Sequence, residues 1–161
     1  AYDRDSVIFA RDGLEQLLEI LMRDGRQVLL VAHSMGSQLV VETVRQMSIA
    51  GKKQALRRLS GVILVSPDID EDVFRQQLSR IDPVPKPFLL MVSQRDRALG
   101  LSAFLTGKPT RLGSISDPSE LDDLPIEVID LTNTRGGDRQ GHMTAFTSPE
   151  AIAFLRGLDD R

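Results

Sequence analysis

No cysteine occurs in the 161 residues, which removes disulfides, thiolate nucleophiles and cysteine-based metal sites at once. Histidine is nearly as scarce. With two imidazoles a metal centre is not expected, and each histidine becomes more informative as a candidate base. Basic excess is missing too: the net charge is −3 and the lysines and arginines are scattered among acids, so nucleic acid is not an expected partner. No apolar run approaches the ~20 residues of a membrane helix, and the first residues, Ala1-Tyr2-Asp3-Arg4-Asp5, are charged rather than signal-like. The expectation is a soluble domain, with the compartment open between cytoplasm and periplasm because a lack of cysteine suits both. Internal repeats and low-complexity segments are absent. So are a glycine-rich phosphate loop and an acidic cluster after the first strand, which sets aside a flavodoxin-like or receiver domain and leaves no cofactor to expect.

What is present is a chain 41% hydrophobic and 27% charged, enough for one domain, residues 1–161, with a sizeable core. Its most informative stretch is Gln27 to Met47. The apolar run Val28 to Ala32 stops at His33-Ser34, small residues (Ala32 and Gly36) stand two places either side of Ser34, and helical spacing through Val40, Val44 and Met47 begins at once. That is a strand, a sharp turn and a helix. So tight a turn lifts its central side chain out of the fold and tolerates only small neighbours, which makes Ser34 a candidate nucleophile. The competing reading of Ser34 is a helix N-cap. His33 reads as a packing residue of the turn.

Along the rest of the chain, residues 6–23 place Leu14, Leu17, Leu18 and Leu21 at helical spacing, with Gly25 suited to end the helix. Gly51 ends the helix after Ser34, and Lys52 to Arg58 reads as a basic, solvated connection. Gly61 to Ser66 is a second strand, closed by Pro67. Asp70 then caps a short helix with the apolar face Phe74, Leu78 and Ile81. The proline run Asp82 to Pro87 forces extended chain into a third strand, Phe88 to Val92. Asp117-Pro118-Ser119-Glu120 has the cap, first-turn proline and N3 glutamate of a helix start. Ile126 to Leu131 is a fourth strand, and a polar loop after it delivers His142. Ser148-Pro149-Glu150 opens a final helix with Ile152, Phe154 and Leu155. Four apolar strands alternating with helices predict an α/β fold: a parallel sheet covered by helices on both faces.

Acyl transfer at neutral pH needs a hydroxyl, a base to take its proton and a carboxylate to orient that base. Ser34, Asp96 and His142 supply these types, and each stands just past the carboxyl end of a predicted strand, where open parallel sheets gather their functional groups. The turn at Ser34 resembles the nucleophile elbow of the alpha/beta hydrolases, with Ala32 where the pattern usually has glycine, and the order serine, acid, histidine is also theirs. The likeness covers nearly the whole chain. More narrowly, Tyr2 to Ser6, the Ala32 to Ser37 elbow, Ser66-Pro67-Asp68-Ile69-Asp70 and Gly141-His142 look like a bacterial branch of that superfamily whose members are largely uncharacterised.

By that resemblance Asp96 takes the usual acid position, and Asp68 is the alternative because some lipases of the fold carry the acid one strand earlier. Ordinary readings compete: Asp96 as a surface aspartate paired with Arg95 or Arg97, and His142 as a loop histidine bonded to backbone. The Met35 N–H, at the start of the helix after Ser34, is the expected oxyanion donor. Arg95, Arg97, Arg135 and Arg139 flank the acid and base and read as solvated loop charges. The implied activity is that of an esterase- or lipase-like serine hydrolase acting on a small-molecule or lipid ester. The competing class is a non-catalytic hydrolase-fold module for binding or assembly. In the superfamily a second oxyanion donor comes from a loop after an early strand. Only 33 residues precede Ser34 and most read as helix. The expectation is therefore a domain without the early strands, with weak turnover and a homo-oligomer formed through the exposed edge of the elbow strand.

Overall fold

The structure is a computed structural model and describes residues 2–96, 111–134 and 143–157. Four strands, β1 (Val28–His33), β2 (Leu59–Val65), β3 (Phe88–Val92) and β4 (Glu127–Asp130), form one sheet in the order β1-β2-β3-β4. All three pairings are parallel, with Leu30 opposite Val62, Leu64 opposite Leu90 and Leu90 opposite Val128. β2 and β3 are buried along nearly their whole length, which is why both read as continuous apolar runs rather than as alternating ones. The strands open where expected to within about two residues.

Side-chain alternation divides the sheet into two apolar layers. On one face Leu30, Val62, Leu64, Phe88, Leu90 and Val92 meet α1 (Tyr2–Met22), α2 (Met35–Ile49), α3 (Lys53–Leu56) and α4 (Glu71–Leu78) in the main core. On the other, Ile63, Val65, Leu89, Met91 and Leu131 meet Ala145 of α5 (Thr144–Thr147) and Ala151 of α6 (Pro149–Gly157). Helices thus cover both faces, as the alternation of elements predicts. β1 departs from that cover. It pairs with β2 alone among the described residues, and its Leu29 and Val31, on the second face, are 41% and 49% exposed.

Three local expectations change. α1 buries Val7, Leu18 and Met22, with Leu14 partly covered, while Leu17 and Leu21 stay exposed, because α1 lies against α2 and only one narrow stripe of it faces inward. The basic connection is not merely a solvated face: it contains α3, whose Leu56 is fully buried, and Lys52 bridges to Glu15 and Glu19 of α1. The two carboxylates raise the pKa of Lys52, with the Glu15 hydrogen bond the larger cause. Asp117 does cap, accepting from the Ser119 N–H at 3.0 Å, but it opens a 3₁₀ turn, Pro118–Leu121, and not an α-helix. The Ser119 hydroxyl, which also donates to Asp117 (2.7 Å), and then the Ser119 N–H hold the Asp117 carboxyl below its usual range. The Asp70 cap forms as read: its side chain accepts from the Val73 N–H, and Phe74 and Leu78 are buried beneath it.

Candidate active site

The carboxyl ends of the four strands are laced together by main-chain bonds, and the lacing begins at Ser34. Here β1 ends and α2 starts with no intervening loop, so one residue must make the whole change of direction. Ser34 does this at φ 53° and ψ −126°, a conformation that a residue with a Cβ adopts only under strain. The surroundings hold it there. Its N–H donates to the Val65 carbonyl at the end of β2 (2.9 Å), and its own carbonyl accepts from Ser37 (3.0 Å) and from the Asp68 N–H (3.3 Å). The Ser34 side chain makes no capping hydrogen bond to α2, so the N-cap reading does not hold. At the adjacent position His33 packs its ring edge-on against Phe146 of α5, with centroids 5.5 Å apart, which agrees with its reading as a packing residue of the turn.

β2 ends in a second strained residue. Ser66 has φ 44° and donates its N–H to the Met91 carbonyl of β3 (2.9 Å), after which Pro67 and Asp68 turn toward α4. Asp68 is partly exposed, and Arg111 reaches it with Nε 3.1 Å from Oδ1. The Nε–H is not aimed for a directed hydrogen bond, so the contact is an ion pair by proximity. Beyond β3, the Asp96 N–H donates to the Ser93 carbonyl (3.1 Å) in a tight turn, and Asp96 is 2% exposed. Asp96 is thus buried rather than a surface aspartate, while Arg95 is exposed; Arg97, the other arginine proposed to pair with it, lies outside the described residues. The Gln94 N–H donates to Thr132 Oγ1 (3.0 Å), which joins the end of β3 to the end of β4.

Ser34, Asp68 and Asp96 therefore share one end of the sheet, carried by the turns after β1, β2 and β3. His142, Arg97, Arg135 and Arg139 lie outside the described residues. The chain on the far side of His142 is described, and its Phe146 is the residue seated on His33. Met35 opens α2, at the positive end of the helix dipole. Sequence reasoning passed over Arg111, the largest of the fully buried side chains among the described residues. A single arginine in Pro109-Thr110-Arg111-Leu112-Gly113 has no periodicity or motif to distinguish it from a surface charge, and only its tertiary partner could.

A parallel sheet with helices on both faces, and a strained serine at the switch from strand to helix, define an alpha/beta hydrolase fold. The chain belongs to the family described as alpha/beta hydrolase of unknown function (DUF900), which it matches over residues 1–158. No curated protein matches it significantly.

Proposed function

We propose that the chain is a serine hydrolase of carboxylic esters working through an acyl-enzyme. The carrying observation is Ser34: a non-glycine residue held at positive φ on a strand-to-helix switch, with its hydroxyl not used for capping. In this reading His142 takes the Ser34 proton as Oγ attacks the acyl carbon, and the carbonyl oxygen becomes an oxyanion facing the Met35 N–H. Collapse of that intermediate returns the proton to the departing alcohol. Water, deprotonated by the same histidine, then releases the acid. Asp96, buried at the end of β3, orients the imidazole and balances its charge. Asp68 is the weaker candidate for that role because its carboxylate already faces the Arg111 guanidinium.

The acyl group in this reading is apolar. Met35, next to the nucleophile, and Phe146, on the helix seated against His33, each leave more than a third of their surface exposed. A fluorophosphonate probe tests the reading: a single adduct is expected on Ser34 and none after Ser34→Ala. An adduct elsewhere rejects the nucleophile. Absence of any adduct from the folded protein favours the competing reading, a hydrolase-fold module for binding or assembly.

A further inference from the structure

Arg111 is 2% exposed, and its charge is matched by Asp68. An ion pair with one buried partner is a poor source of net stability, because the loss of hydration offsets much of the attraction; its more specific contribution is geometry. The geometry here joins two loops. Arg111 bridges Asp70 in antiparallel fashion, Leu112 N–H donates to the Ile69 carbonyl (2.9 Å), and Gly113 N–H donates to the Pro67 carbonyl (3.0 Å). On its other side, the Gly113 carbonyl accepts from Ser93 N–H (2.9 Å). Residues 111–113 thus hold the turn after β2, whose Asp68 N–H reaches the Ser34 carbonyl, and the turn after β3, whose Ser93 carbonyl receives the Asp96 N–H.

We propose that Arg111 is a positioning residue that, through Asp68 and Gly113, sets the Ser34 turn and the Asp96 turn relative to each other; this rests on the serine-hydrolase reading. The ion pair fixes the register of residues 111–113 against the turn after β2, and the Gly113 carbonyl passes that register to the turn after β3. Arg111 also neutralises Asp68, leaving Asp96 as the acid that serves the base. Arg111 touches no reacting atom in this scheme.

The test compares the full chain with Arg111→Met by amide hydrogen exchange and by fluorophosphonate labelling. The expected result is faster exchange at Asp68, Ser93, Leu112 and Gly113, with the β2 and β3 interior amides at Leu64 and Leu90 unchanged. Labelling of Ser34 should slow on the order of 10²-fold, as small misplacements of reacting groups do. KM for a neutral ester should stay within about threefold, since an interaction outside substrate binding is removed, and Arg111→Lys should recover part of the rate. Should Arg111→Met fail to fold, combining it with Asp68→Asn removes the carboxylate charge that Arg111 faced and carries the same comparison. Exchange that is unchanged at the four amides, or that rises equally through the sheet, overturns the proposal. So does a loss confined to the KM of anionic esters, which would make Arg111 a substrate-binding group. A wild-type chain that does not label at Ser34 rejects the serine-hydrolase reading instead, and hydrogen exchange still decides whether Arg111 couples the two turns.

Discussion

At the scale of single residues, the backbone of Ser34 holds the most consequential strain in the fold. Its φ of 53° would suit glycine, so the Cβ of serine costs on the order of 1–3 kcal/mol that the hydroxyl's role must justify. Ser34→Gly should therefore be more stable than Ser34→Ala by about 1 kcal/mol in urea unfolding, although both lose the nucleophile. Equal stability would mean that the turn relaxes without strain. The two acids separate by a comparable pair of substitutions. Asp96→Asn should lower ester turnover on the order of 10⁴, as loss of the orienting carboxylate does in a triad. Asp68→Asn should act mainly through Arg111, removing the carboxylate charge that faces a buried cation, so its signature is lost stability with a smaller loss of rate. A reversed pattern would assign the acid to the turn after β2.

At the scale of elements, α4 shows how local and tertiary terms divide. Asp70 caps it through the Val73 N–H, and Asp70→Ala should cost about 1 kcal/mol. Phe74, fully buried with its ring 6.2 Å from that of Phe88, carries more: Phe74→Ala should cost about 3–5 kcal/mol in chemical unfolding, because it leaves a cavity between α4 and β3. α1 is tied differently, by Lys52 reaching back to Glu15 and Glu19. Because those carboxylates raise the Lys52 pKa above 10.5, the stability they lend is fully present below that value and is lost as pH rises through the raised one. Lys52→Met should accordingly lower the melting temperature by a constant small amount through neutral pH, with the difference closing in strong alkali. A difference that instead grew with pH would mean that Lys52 acts through packing of its stem.

At the scale of the whole molecule, the edge of the sheet at β1 is open among the described residues. Leu29 and Val31 present apolar side chains beside backbone that pairs only with β2 among the described residues, and such an edge favours self-association. Val31→Lys should shift the solution mass toward the monomer while changing stability by no more than about 0.5 kcal/mol, since the side chain is already half exposed. An unchanged mass distribution would show that the chain does not associate through this edge. Among the described residues no helix is long and apolar enough to cross a membrane.

What the amino-acid order determined by itself were the features written locally. The β-branched and aliphatic runs at 28–32, 61–66 and 88–92 read as strands, Asp70 and Asp117 as caps, and the small residues around Ser34 marked the sharp turn. Each depends on neighbours within about four residues, the range over which periodicity and capping act. What the tertiary structure decided were matters of partnership between distant segments. Leu17 and Leu21 follow the helical period but stay exposed, because a period shows which side chains share a stripe and not how wide a stripe the neighbouring helix covers. Asp96 is buried and Arg95 is not, a difference that two adjacent charged residues do not show in the sequence. Arg111 reads as one more surface charge until folding carries it to Asp68, 43 positions earlier, where the loss of water makes its position matter.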